Sequence, residues 1–187
     1  MSSGAKVPYV QAKAVAESVV EHLSPYLERV EIAGSIRRKK TWVRDVELVA
    51  EPKQREGDLF GTMEADVESI RETLKSLGTW VKGGDRFMQV RDVLGSSLSL
   101  DLFLVHPPAE WGSILAIRTG PSTLSQACVT RLKRYARKHE GGRILDLATG
   151  QTLPTPTERE FFELAGVAYM QPEYREVQAQ RLGMEGR

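Results

Sequence analysis

Residues 98–104 read Leu-Ser-Leu-Asp-Leu-Phe-Leu. A leucine at every second position matches the repeat of a β-strand and no helical period, so one side of this strand faces a core. Ser99, Asp101 and Phe103 then share the other side. Strands disfavour aspartate, so an acid inside so apolar a run needs a reason. A chain that carries this strand is committed to a sheet-containing lobe.

A second alternating run, Val43 to Ala50, reads the same way. Asp45 and Glu47 project together, while Val46 and Leu48 point to the core side. If the two strands are neighbours in one sheet, Asp45, Glu47 and Asp101 converge on one side. Upstream, the strand-like Val30-Glu31-Ile32-Ala33 ends at Gly34-Ser35, followed by the cations Arg37, Arg38, Lys39 and Lys40. Asp45 stands ten residues beyond Ser35.

An Asp-x-Glu pair on a strand is ordinarily a solvated face, and a basic turn is ordinarily a solubilising one. Their joint order, with a third acid in the leucine run, favours a site. Hard divalent cations such as Mg²⁺ take carboxylate oxygens and share their shell with substrate phosphates. Two such ions roughly 3.5–4 Å apart clamp both oxygens of an in-line displacement. The cations upstream would meet the remaining phosphate charge. Gly34 allows close backbone approach, and an N–H array at the following turn is suited to an anion. Ser35 adds a hydroxyl donor, and Arg38 adds a forked one.

Around these strands the pattern is mixed. Val10 to Leu23 and Val67 to Leu77 carry apolar residues at helical spacing, the first stopped near Ser24-Pro25 and the second by Gly78. Phe87 to Val93 is expected to form a strand, joined to Leu98–Val105 through a hairpin at Gly95-Ser96-Ser97. After His106-Pro107-Pro108 the character changes. The expected elements are a helix from Ala109 to Arg118, a longer basic helix from Ser122 to Lys138 closed by Gly141-Gly142, and a small hairpin of Arg143–Leu147 with Gln151–Leu153. A last helix would start with Thr155 as N-cap, Pro156 at its first position and Glu158 reaching back, and end at Gly166. The expected class is α+β, with a sheet lobe over 1–106 and a mainly helical lobe over 107–187.

At 187 residues the chain can bury a sizeable core, and 41% hydrophobic with 27% charged residues is the balance of a soluble globular protein. No apolar run is long enough for a bilayer, and the N-terminus lacks a signal-peptide core. One cysteine, Cys128, excludes an internal disulfide and fits a reducing, cytoplasmic setting. The net charge of +1 hides a local imbalance. Acids gather between Glu51 and Glu72, Asp58 among them, and bases between Arg131 and Arg143, a hint of a phosphate-bearing partner. His22, His106, His139 and Cys128 form no nucleophile–base arrangement and read as structural or solvated.

The order Gly-Ser-x-Arg-Arg, Asp-x-Glu and a hydrophobic strand with a third acid resembles the palm of family X DNA polymerases, the polymerase beta group. The likeness covers nearly the whole chain. Lys6-Val7-Pro8 resembles the lead-in to that palm, and Asp85-Arg86-Phe87-Met88-Gln89-Val90 resembles the strand before the third acid. Trp111 to Gly120 is similar to a thumb segment, and Glu160 to Val167 with Gln171-Pro172-Glu173-Tyr174-Arg175 to the closing helix and its terminal turn.

The resemblance implies a nucleotidyltransferase palm, a mixed β-sheet flanked by helices, over 1–106. It implies a small, mainly helical thumb with a short β-hairpin over 107–187. It implies DNA polymerase activity, transfer from dNTP to a primer 3′-hydroxyl in primer–template or gapped DNA, in gap filling or repair. Asp45, Glu47 and Asp101 would be the catalytic ligands of two Mg²⁺ ions, or Mn²⁺ in their place, with Asp101 near the primer end. Gly34, Ser35 and Arg38, with Lys6, would hold the triphosphate, and Thr119-Gly120 would line the sugar and base pocket. Arg131 and Lys133 would face the nucleic acid. The expected protein is a monomer with no membrane partner.

The chain departs from the family pattern at Glu47, where aspartate is usual, at Ile117-Arg118, where an aromatic pair is common, and at Ser99, where some members carry a base. Nothing corresponds to a lyase domain. Two other functions share the motifs: a template-independent nucleotidyltransferase, and a non-catalytic nucleic-acid binding module.

Overall fold

The leucine alternation becomes the third strand of a five-stranded mixed sheet in the computed structural model, which describes residues 5–56 and 63–185. The lead-in Val7–Pro8 (β1) runs into helix α1, Tyr9–Leu23, which ends in a single 3₁₀ turn at Ser24–Tyr26. Strand β2 is Leu27–Ile32, followed by one helical turn, α2, over Gly34–Arg37. Trp42–Val43 (β3) and Asp45–Pro52 (β4) are separate strands, because the chain bends at Arg44. A small hairpin pairs Gln54–Glu56 (β5) with Met63–Ala65 (β6). Asp58 lies outside the described residues. Helix α3 (Val67–Leu77) leads to β7 (Thr79–Gly83), β8 (Phe87–Arg91) and β9 (Ser99–Leu104).

The sheet order is β2-β4-β9-β8-β7. Only β4 and β9 run parallel; the other neighbours are antiparallel. Val46, Leu48, Met88, Val90, Leu100 and Leu102 have no exposed surface, and they face Ala12, Ala16, Val19 and Leu23 of α1 and Ile70, Leu74 and Leu77 of α3. Burying each of the larger side chains contributes about 1.5–3 kcal/mol. That exceeds the ~1 kcal/mol span of strand propensity, so a single aspartate does not unseat β9. Asp66 caps α3 by accepting from Ser69 N at 3.3 Å, and Gly78 ends it.

The chain divides into two compact units. The first holds the chain to Ile36 and Lys40–His106; the second holds Arg37–Lys39 and the chain from Pro107 onward. The second unit contains α4 (Trp111–Thr119), α5 (Ser122–Leu132), a three-stranded antiparallel sheet of β10 (Arg137–Glu140), β11 (Arg143–Asp146) and β12 (Thr152–Leu153), then α6 (Glu158–Leu164) and α7 (Arg175–Glu185). Its core gathers Ala116, Leu124, Cys128, Leu132, Ile144, Phe161 and Phe162. Burial pushes the Cys128 thiol up to about 12, so it is a small hydrophobe and not a nucleophile. Among the described residues no helix is long and apolar enough to cross a membrane.

Two expectations for this unit are corrected. The basic helix stops at Leu132, the last member of the buried face Leu124, Cys128, Leu132. Tyr135 and Ala136 are exposed, Ala136 turns left-handed at φ 52°, and Arg137 and Lys138 continue as a strand paired with β11. His139 therefore sits on β10 and not at a helix end. The cap of α6 is Thr157, not Thr155: Thr157 accepts from Arg159 N at 3.2 Å and Glu160 reaches back to Thr157 N at 2.9 Å. Thr155 is wholly buried, and its carbonyl accepts from Gly112 N at 2.8 Å. A Cβ at position 112 would collide with the Thr157 carbonyl, so a glycine lets α4 lie against this backbone.

Candidate functional site

The parallel pairing of β4 with β9 sets Glu47 opposite Asp101 and Asp45 opposite Ser99. Cα partners in a ladder project to the same side, so all three acids share the face away from α1 and α3. The exposure pattern agrees: Asp45, Glu47, Ser99 and Asp101 are half-buried, and the residues between them are sealed. On the far side of β9, Gln89 stands opposite Asp101, and its Nε2 donates to Asp101 Oδ1 at 2.6 Å. Gln89 is a site residue that the sequence reading passed over. Its signal was present, since it is the polar member of the alternation Phe87-Met88-Gln89-Val90, but only strand register decides which acid it meets.

Gly34 has φ +60°, and a Cβ there would run into the Glu47 carboxylate. The turn after β2 therefore lies directly against the second acid, and glycine is required twice over, by conformation and by space. Ser35 Oγ is buried without a hydrogen-bond partner. Among the described residues no three His, Cys, Asp or Glu side chains are drawn into a closed cage. The donors on this face are nonetheless all hard oxygens, the chemistry that suits Mg²⁺ or Mn²⁺.

One row further along the same face, Phe87 and Phe103 are Cα partners with ring centroids 5.1 Å apart. Beyond them a cavity of ≈ 640 Å³ opens at the β7–β8 turn, lined by Lys82, Arg86, Phe87 and His106 among others. Lys82 Nζ lies over the Phe87 ring at 5.3 Å, and Arg86 donates to His106 O at 2.9 Å.

Arg38 and Thr119-Gly120 belong to the second unit and form a different constellation. Arg38 donates through Nε to Glu176 Oε1 at 3.2 Å and through Nη1 to the Thr119 carbonyl. Arg37 donates to Thr119 Oγ1 and to Glu158 Oε1, both at 2.7 Å. Arg175, wholly buried, donates to Glu158 Oε1 at 2.8 Å and stacks its guanidinium over Phe162 at 4.9 Å. Burial pushes the Glu158 carboxyl up, but the two arginines outweigh it and hold the group below the usual carboxylate range. Thr119 is sealed, and both of its oxygens are engaged by arginines. The structure thus brings Arg38 together with Thr119-Gly120, as an internal lock.

Lys6 is exposed at the start of the lead-in, next to β1. Arg131 is half-buried and donates to Gly166 O at 3.4 Å; Lys133 is exposed on the 3₁₀ turn after α5. A groove of ≈ 330 Å³ runs along α5 between Thr123, Gln126, Thr130, Arg131 and Arg134, and Lys133 does not line it. Arg134 is therefore the second cation of that face. No protein-family model matches the chain, and no curated protein matches it either.

Proposed function

We propose that the chain is a metal-dependent nucleotidyltransferase of the family X polymerase kind, adding a nucleotide from dNTP to a primer 3′-hydroxyl in primer–template or gapped DNA. The observation that carries this reading is the in-register pair of Glu47 and Asp101 on parallel strands, with Asp45 two residues along and the Gly34-Ser35 turn against Glu47. Three carboxylates beside a glycine turn with a spare buried hydroxyl suit a polyphosphate carried with divalent cations, and suit few other ligands.

In the transfer, the primer 3′-oxygen bonds to the α-phosphorus as the bond to the bridging oxygen breaks. Pyrophosphate departs and the hydroxyl proton is lost to solvent. Bound Mg²⁺ or Mn²⁺, held by Asp45, Glu47 and Asp101, would supply charge neutralisation at the reacting phosphate. Gln89 holds the Asp101 carboxylate in one orientation. Ser35 offers its hydroxyl, and Gly34 offers close backbone approach to a phosphate.

The test is primer extension on a gapped duplex, one dNTP at a time, with Mg²⁺ or Mn²⁺. Addition of only the complementary nucleotide, abolished in Asp101→Ala while DNA binding persists, supports the proposal. Near-normal transfer by Asp101→Ala overturns the three-acid assignment. Addition without regard to template points to a template-independent transferase. Salt-sensitive DNA binding with no addition in either metal leaves a binding module.

A further inference from the structure

Trp42 is 56% exposed, an unusual place for an indole. It does not hang on a loose loop. Pro8 and Val7 pair with Trp42 and Val43, Tyr9 N donates to Thr41 O at 3.0 Å, and Lys40 N donates to Ser35 O at 3.0 Å. Val43, at 1% exposure, pins the strip to the core of the first unit. The alternation then turns its two neighbours outward: Trp42 and Arg44 are exposed.

The sequence on either side of the ring is basic. From Arg37 to Arg44 the chain contains no acid. Arg37, Arg38 and Lys39 are matched by Glu158, Glu176 and Glu173 within the second unit. Arg44, two residues from the ring, and Lys6, just before the strand that braces it, are exposed. The antiparallel register, Val7 with Val43 and Pro8 with Trp42, continues toward Lys6 and Arg44, so the two cations stand at one end of the strip. A rigid aromatic face with cations at one end complements a base and the phosphate beside it.

We propose that Trp42 is a stacking platform for an unpaired base of a single-stranded nucleic-acid segment, with the phosphate on one side of that base met by Lys6 and Arg44. The strip runs directly into Asp45, so a strand seated on it would enter alongside the row of acids. The platform does not depend on the transfer activity: a binding module would use it equally, and binding is measured separately from primer extension.

The experiment uses a fluorescently labelled twelve-nucleotide oligo(dT), the same oligomer with abasic sites, and a blunt duplex, with anisotropy followed from low to moderate salt. Wild type should bind oligo(dT) tightly at low salt, more tightly than the abasic strand or the duplex. Trp42→Ala should weaken oligo(dT) about tenfold to a hundredfold, the worth of one stacked base, with the salt slope unchanged. Arg44→Ala should lower that slope by about one. Trp42→Phe should restore part of the loss, which separates stacking from a folding defect. Equal affinity of wild type and Trp42→Ala, or of oligo(dT) and abasic strand, overturns the platform. Stronger quenching of Trp42 by anionic phospholipid vesicles than by oligo(dT) overturns it in favour of a lipid surface. Loss of primer extension in a protein that still shows the Trp42-dependent preference would sink the transfer reading alone.

Discussion

At the scale of single residues, Gln89 and Glu47 carry the most information. The Gln89 amide holds Asp101 at 2.6 Å, and partners of this kind typically support metal ligands by tenfold to a hundredfold in activity. Gln89→Leu should therefore lower kcat for nucleotide addition by about that factor, with an unchanged melting profile. A variant as active as wild type would show that the contact is incidental. Glu47 lies against Gly34, so its extra methylene is accommodated by an absent side chain. Glu47→Asp should keep transfer and shift the ratio of Mg²⁺- to Mn²⁺-supported rates. Complete loss in a folded variant would mean that the site is built around glutamate.

At the scale of elements, short-range pattern and tertiary pairing divide the work. The position of helix α3 is set by its own sequence: the aspartate cap, Ile70, Leu74 and Leu77 at helical spacing, and Gly78 at the end. Helix α6 is set by a capping box shifted two residues from where Thr155-Pro156 points, because Thr155 is taken up as a buried contact with α4. Thr157→Ala should cost about 1 kcal/mol of unfolding free energy, read by urea denaturation, whereas Pro156→Ala should cost much less. Equal losses for both would return the cap to the upstream position. The end of α5 shows the opposite balance. The run Lys133 to Lys138 has adequate helix formers, but pairing of Arg137 with Asp146 and the bond from Arg137 to Leu164 O at 2.7 Å draw it into a sheet.

At the scale of the molecule, the two units rest on different chemistry. The first is held by an apolar sheet face. The second has a charged group at its centre: Glu158, 5% exposed, shared by Arg37 and Arg175. Replacing one partner of such a buried pair typically costs about 3–5 kcal/mol. Glu158→Gln should accordingly destabilise the second unit, and alkylation of Cys128, sealed in its core, reports this directly. The expected result is slow alkylation in wild type and fast alkylation in Glu158→Gln. The pH dependence follows from the depressed carboxyl. Its stabilisation is complete above the ordinary value of 4.5 and is lost as pH falls through the lower folded value. The urea resistance of wild type should weaken below pH 4.5, and that acid step should be missing in Glu158→Gln. The same acid step in both proteins would place the titration elsewhere.

The alternation of 45–50 and 98–104 by itself determined that both segments are strands with an apolar side inward and the acids outward. It settled this because side-chain direction in a strand depends only on parity. Helices α1 and α3 and the mixed α+β class were legible for the same local reason. So was the hairpin of β8 with β9; the pairing of β4 with β9 was not, since it joins residues more than fifty apart and leaves no periodic trace. Only the tertiary structure set Glu47 against Asp101, turned Gln89 onto that acid, and broke the strand at Arg44 to leave Trp42 in solvent. Charge was the least legible of all. The cluster Arg37 to Lys40 looks uniform in sequence, but Arg37, Arg38 and Lys39 are each matched by a glutamate more than a hundred residues away. A carboxylate chooses its partner by proximity in space, and the chain alone carries no record of that distance.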